Sequence, residues 1–481
     1  MTISSALSNA MTGLRAAGTN SETISANIAN AMTPGYGVRT VSLSSSQIGG
    51  VSVDGIVRNV NPALLADRSL AQSALSNATD RTTFLRGYED ALGTPDNPNS
   101  LSSRIAEFES SLITASSRPD APERLEVVVD AARDLTQLIS SASRKIQESR
   151  SEADRNINLQ VNQLNTALAG VKELNQQITR TQTLGGDTSA LQDSRQALVE
   201  EISEIVSVRQ IPRDRGQIAL YSTGGAILLD GGAAEVEFSA MNQVTPFMTL
   251  SGGQLSGLTL NGYEIRTDSM RGALGGGSLG AQFEIRDEFG VDAQTQLDAF
   301  TRDLIERFQD PAVDATLAVG DAGLFTDAGI AFDPLNEVGL SERVAVNAAV
   351  DEKQGGEAWR VRDGINAIVQ GDVGDSRLLQ TLSSTMTAKR APLSGSFGSG
   401  AFSSSNLLAT LTSKLGADRA QAEQGQTFAS TQFNELTQLV LADGVDTDQE
   451  LQRLLLVEQA YAANARMISA ADEMMQTILR I

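Results

Sequence analysis

From residue 3 onward, apolar and small side chains recur at alternating intervals of four and three: Ile3, Leu7, Ala10, Leu14, Ala17, Ser21, Ile24 and Ile28. That spacing lays them along one stripe of an α-helix, the seam used in coiled-coil-like packing. The helix should stop near residues 31 to 33, because Pro34 disfavours helical backbone at Thr33 and Gly35 supplies turn geometry. From 38 to 60 the pattern loosens to alternation (Val38, Thr40, Val41, Leu43, then Val51, Val53, Ile56, Val57) around Gly49-Gly50, which predicts a short hairpin or extended arm.

Helical periodicity returns over 62 to 92, breaks at Gly93 to Pro98, and resumes over 100 to 116. A long helix beginning near Glu123 then carries the clearest internal seam: Ile157, Val161, Leu164, Leu168, Val171, Asn175 and Ile178. Gly185-Gly186-Asp187 turns the chain, and Leu191, Arg195, Leu198, Ile202 and Ile205 carry a return helix, completing a helical hairpin. Between 207 and 286 short β-like runs (206–208, 218–221, 227–229, 236–238) alternate with glycines and read as an inserted β domain. Helical patterning resumes over 288 to 309 and, after a mixed stretch, over 406 to 442 and 448 to 481. Thr447 with Glu450 has the form of a capping box for that last helix.

The last helix carries two apolar stripes. Leu451, Leu454, Tyr461, Ala465, Ile468, Met475 and Leu479 form one; Leu456, Ala460, Ala463, Met467, Ala470 and Met474 form the other. Such a face is too wide for a two-helix seam, so the helix calls for several neighbours. The expected fold is mainly α with an inserted β domain (α+β): paired N- and C-terminal helices, a long helical-bundle middle domain and an outer small β domain. The corresponding domains are 1–36 with 443–481, 37–206 with 287–442, and 207–286.

Composition narrows the chemistry. The 481 residues are 41% hydrophobic, enough to bury real cores, and the formal net charge is −22, which repels nucleic acid and anionic membrane surfaces. There is no cysteine and no histidine, which removes disulfides, thiolate and most zinc sites, and the usual nucleophile–base constellations. Met1 to Ser5 has no basic, apolar leader pattern, and no apolar run approaches the ~18 residues of a membrane span. Gly275 to Gly280 satisfies a G-x-G-x-x-G spacing but no βαβ unit surrounds it, so it reads as a turn. Asp443, Asp446, Asp448 and Glu450 miss the EF-hand spacing and read as a helix start with dipole-favoured acids. Glu200-Glu201 and Asp472-Glu473 read as solvated helix faces, because adjacent residues point about 100° apart. No catalytic, cofactor or metal site is expected.

The terminal segments carry more specific information. Ser25 to Tyr36, with Asn27-Ile28-Ala29-Asn30 followed by Thr33-Pro34-Gly35-Tyr36, resembles the N-terminal signature of flagellar rod, hook and hook-associated proteins. Gly444-Val445-Asp446 and the run from Glu458 to Met474 resemble the matching C-terminal signature. Inside the chain, Arg118-Pro119-Asp120, the run Leu191 to Leu198, and Leu279-Gly280-Ala281 leading into Arg286-Asp287-Glu288 resemble the hook-associated members. Gly37-Val38-Arg39-Thr40 departs from the Ser-Arg-Gln common after the tyrosine, and Leu454 to Glu458 departs from a more aromatic or Gln-rich stretch, which leaves the contacts near Arg39 open.

The resemblance implies a non-enzymatic structural subunit of the bacterial flagellum at the hook–filament junction, extracellular, exported unfolded by the flagellar type III apparatus without a cleaved signal peptide. Its implied partners are other copies of itself in a ring, the hook protein, a second junction protein, and a chaperone on the C-terminal helix, with no cofactor. The signature turn is then Asn27, Asn30, Pro34, Gly35 and Tyr36. The periodicity assigns the assembly interface to Ile3, Leu7, Leu14, Ile24 and Ile28 with Leu454, Tyr461, Ile468, Met475 and Leu479. Two other readings stay open: the hook protein itself, and a secreted adhesin or enzyme with axial-type ends and its activity in 207–286.

Overall fold

Residues 3–33, 35–46, 49–267 and 272–480 are described by the structure, a computed structural model. Pro34, named above in the signature turn, lies outside them. The chain opens with α1 (Ile3–Ala29), then a hairpin of β1 (Val38–Ser45) and β2 (Val51–Asn59). The strands pair antiparallel, with a bulge between Ser42 and Leu43. At the tip Gly49 and Gly50 have φ of 94° and 85°, and a side chain on Gly50 would collide with Thr12 of α1. Thr12 Oγ1 accepts a hydrogen bond from Val51 N at 3.2 Å, so the hairpin tip lies on α1.

A helical body follows: α2 (Pro62–Leu92), α3 (Leu101–Ser117), α4 (Pro122–Thr183) and α5 (Ser189–Ile205). Asn61 and Ser100 cap α2 and α3, accepting from Leu64 N and Ser103 N. Proline stands at the first turn of α2 and of α4, where its missing N–H costs nothing. At 62 residues α4 is the spine of the molecule; at 1.5 Å per residue it is about 93 Å long.

Seven short strands come next, β3 (Val208–Pro212), β4 (Ile218–Ser222), β5 (Ile227–Asp230), β6 (Gly232–Ala233), β7 (Val236–Glu237), β8 (Leu258–Leu260) and β9 (Tyr263–Ile265). They form a four-stranded antiparallel sheet in the order β3-β4-β5-β6 and a three-stranded one in the order β7-β8-β9. The β character ends earlier than the 286 expected, because α6 (Gly277–Glu284) already begins within the glycine run. Gly276 and Gly277 have φ of 79° and 63°, and Gly277 lies against the Ile205 carbonyl, leaving no room for a Cβ. A π-helical turn, Ile285–Phe289, joins α6 to α7 (Gly290–Phe308).

The remainder of the body is β10 (Phe325–Asp327), α8 (Leu340–Arg343), β11 (Val344–Val346), α9 (Arg360–Asp363), α10 (Arg377–Thr387) and α11 (Ser404–Ala442), which returns along α2. The chain ends in α12 (Thr447–Leu479), packed on α1.

Two apolar cores divide α4. Its N-terminal half packs with α3, α7, α10 and the start of α11 around Phe108, Phe308 and Phe325, whose ring centroids lie 5.1–5.9 Å apart. Its C-terminal half packs with α5, α6 and both sheets. Between the cores the π turn is held by two arginines with no solvent exposure: Arg150 donates to the carbonyls of Arg286 and Met248, and Arg286 donates to Asp154 at 2.8 Å and to Asp287. The patterning placed the β part outermost. Measured along α4 it lies nearer to the hairpin than 310–375 does, since α5 touches the hairpin base whereas Arg362 bonds Pro119, just before the start of α4.

Candidate assembly interface

The two terminal helices meet in one antiparallel register. A Cβ on Gly13 of α1 would come within 2.7 Å of Asn464 on α12, and two heptads away Asn27 Nδ2 donates to Glu450 Oε2 at 3.1 Å. Glycine at 13 leaves room for the Asn464 side-chain amide against α1, so a residue that lowers helix propensity is used here for close packing.

Of the interface positions read from periodicity, Ile24 is buried; Ile3, Leu7, Leu14, Ile28, Leu454 and Ile468 are half-buried. Tyr461, Met475 and Leu479 stay exposed, at 51%, 41% and 81%. The covered line on α12 runs Glu450, Leu454, Val457, Asn464, Ile468 and Ala471, one heptad seam facing α1. The second stripe, Leu456, Ala460, Ala463, Met467, Ala470 and Met474, is exposed along its whole length.

The signature turn converges on Asn27, which has no solvent exposure. Its Oδ1 accepts from the Tyr36 hydroxyl at 2.9 Å and from Arg39 N at 3.0 Å; its Nδ2 donates to Arg39 O at 2.8 Å and to Glu450. All four bonding positions of the amide are filled. Burial raises the Tyr36 hydroxyl above its ordinary pKa, with Arg39, 4.7 Å from the ring centre, opposing the shift, so Tyr36 stays a donor. Asn30 plays a local part: its Nδ2 donates to Ala26 O at 2.8 Å, and Thr33 Oγ1 donates to its Oδ1. Gly35 takes a φ of 78° that a Cβ would strain.

The capping box expected at Thr447 and Glu450 is replaced. Asp446 caps α12, its Oδ1 accepting from Asp448 N at 3.0 Å and Gln449 N at 3.1 Å. Glu450 is thereby free to turn inward to Asn27, with Arg453 donating to its other oxygen at 2.8 Å. Among the described residues no cluster of His, Cys, Asp or Glu could hold a metal ion, and no helix is long and apolar enough to cross a membrane.

A second constellation fastens the terminal pair to the body. Asp193, on the first turns of α5, accepts from Gly37 N at 3.1 Å, Arg39 Nη2 at 2.8 Å and Arg58 Nε at 2.6 Å. Arg58 also donates to Gly35 O at 3.2 Å. Nearby, burial and the Arg58 charge pull Arg195 down to about 10. Sequence reasoning missed Asp193, Arg58 and Asn464, and gave Glu450 only a place at the helix start. Asp193 lies inside the run Leu191 to Leu198 that had marked the family, but nothing in a single sequence says that a helix-start aspartate reaches a hairpin some 150 residues away.

Comparison with known proteins finds three family descriptions on this chain. Residues 86–323 match "Flagellar hook-associated protein FlgK helical domain". Residues 441–481 match "Flagellar basal body rod FlgEFG protein C-terminal", and residues 7–36 match "Flagella basal body rod protein". Flagellar hook-associated protein 1 of Escherichia coli (strain K12) is 25% identical over the whole of both chains. The protein of the same name from Bacillus subtilis (strain 168) is 22% identical, over 94% of this chain and 93% of its own. Among solved structures, the flagellar hook junction protein FlgK from Burkholderia pseudomallei is 18% identical, with a TM-score of 0.44 over 55% of this chain and 47% of that one.

Proposed function

This chain belongs to the flagellar hook-associated protein 1 family, and from that premise we propose how its two ends assemble the junction. It is a structural component of the flagellar hook–filament junction, built into the axial structure of the bacterial flagellum. In our reading α1 and α12 form the assembly unit. The seam from Glu450 to Ala471 holds the two helices of one chain together, and the stripe from Leu456 to Met474 faces neighbouring subunits.

The observation that carries the proposal is that this second stripe repeats at heptad spacing and is solvent-exposed over its whole length. Three apolar side chains there, Leu456, Met467 and Met474, are each more than half exposed. Burying what is still exposed of each is worth roughly 1–2 kcal/mol, about half or more of the value for a fully exposed side chain, and the gain recurs at every interface around a ring. The same reading divides the chain into an inner pair of terminal helices, a helical body and the inserted 207–286 part. Further partners in this proposal are copies of itself, the hook protein on one side, a second junction protein on the other, and before assembly a chaperone on α12 and the type III export apparatus. No step in this role calls for catalysis, which suits a chain without histidine or cysteine.

A double substitution tests it: Ala463→Glu with Met467→Glu. Because both positions are exposed in the single chain, its stability should change by no more than about 0.5 kcal/mol. The variant should be absent from purified flagella, with filaments shed from hooks. Incorporation at the normal level would sink the role given to this stripe, as would normal incorporation after deletion of 448–481.

A further inference from the structure

The two bodies of this chain, the terminal pair with its hairpin and the helical body, are joined covalently at only two places, between β2 and α2 and between α11 and α12. Between those crossings packing is incomplete. A cavity of about 240 Å³ opens there, with Tyr36 and Val38 on the terminal side and Leu64, Val440 and Leu441 on the body side. Apolar contact therefore does little to fix the angle between the bodies, and the polar bridge beside the cavity has to do so.

That bridge is one carboxylate. Asp193 receives three donors from the terminal side, at 2.6, 2.8 and 3.1 Å, two of them charged. Its side chain is 16% exposed, and those of its partners Arg39 and Arg58 are 17% and 9% exposed, so water reaches the edge of the cluster. On the body side the socket is firm, because Arg68 of α2 pairs with Glu200 of α5 one helical stretch beyond Asp193. On the terminal side Arg39 continues inward through its own backbone to Asn27, and from there to Glu450 at the start of α12. A pull on the clasp is thus transmitted to both terminal helices together.

We propose that this junction is a joint, and that Asp193 is the positioning residue that sets the angle of the terminal helix pair on the body. Two connections permit rotation, the cavity gives room for it, and the clasp holds one orientation. When the clasp is lost, the pair swings as a unit while its own seam stays intact. The inference concerns the isolated chain and stands apart from the flagellar role proposed above.

The absence of native cysteine allows spin labels at chosen pairs in the full chain. One pair, Ser25→Cys with Glu201→Cys, spans the joint; a second, Ser8→Cys with Gln459→Cys, lies within the terminal helices. All four are exposed positions. In the unsubstituted chain both pairs should give single narrow distance distributions. Asp193→Asn should broaden the first by about twofold and leave the second unchanged, as a hinge released from its latch behaves. Asp193→Glu, which keeps the carboxylate, should retain the narrow first distribution. The proposal is overturned if Asp193→Asn leaves the joint pair narrow, if both pairs broaden together, or if the joint pair is already broad with Asp193 in place.

Discussion

Asn27 is the residue on which the terminal unit turns, because one amide satisfies a tyrosine, a backbone edge and a carboxylate at once. Asn27→Ala leaves Glu450 and both main-chain groups of Arg39 without that partner. Local opening of 27–40 and 447–455 should become easier by about 2–3 kcal/mol, read as faster amide exchange there with α4 unchanged. A second prediction concerns Glu284, where burial raises the carboxyl above its ordinary pKa, Arg81 opposes the shift and Glu288 adds to it. A carboxylate raised in the fold supports the folded state below its ordinary range and loses that support as pH rises through the folded value. Glu284→Gln should therefore raise the melting temperature at pH 8, with the gain shrinking on acidification; an equal gain at pH 4 would contradict the burial argument. The sequence singled out Asn27 only as a member of a motif. Its partners lie 9, 12 and 423 positions away, and no periodicity connects those.

At the scale of elements, α1, α2, α4, α11 and α12 were legible because their seams repeat over many turns and each repeat restates the same face. The limits of that legibility are local competitions. Asp446 caps α12 in place of Thr447 while Glu450 reaches a buried partner, and Gly277 opens α6 at a point where the Ile205 carbonyl leaves no space for a Cβ. Gly13 shows the same lesson in reverse, a poor helix former that seats the Asn464 amide of α12. Gly13→Leu should displace the Asn464 amide, loosen the α1–α12 seam and cost about 1–3 kcal/mol in their pairing. Amide exchange should then quicken in both helices while protection in α4 and α7 holds; unchanged exchange in α12 would show that the crossing does not depend on that glycine.

For the whole molecule, stability is distributed unevenly. The body has two cores along α4, whereas α12 buries only Glu450 and Ala471. Amide protection in the middle of α4 should exceed that in α12 by about 100-fold or more in the isolated chain; comparable protection would mean that α12 is already as well housed as the spine. The division into α body and β insert could be read from where the apolar period changed, but the clasp at Asp193 and the position of the sheets along α4 depend on contacts between segments far apart in sequence. The exposed stripe of α12 also poses a colloidal problem for a free subunit, since copies that bury it in the wrong place would precipitate. A formal charge of −22 opposes the approach of such copies over a Debye length of about 8 Å at physiological ionic strength, and in the assembly proposed above it would leave the stripe usable once a growing end holds two subunits in contact. In the assembly proposed above, repulsion at a distance and adhesion at contact would together set a nucleation threshold, so that polymerisation would wait for a template.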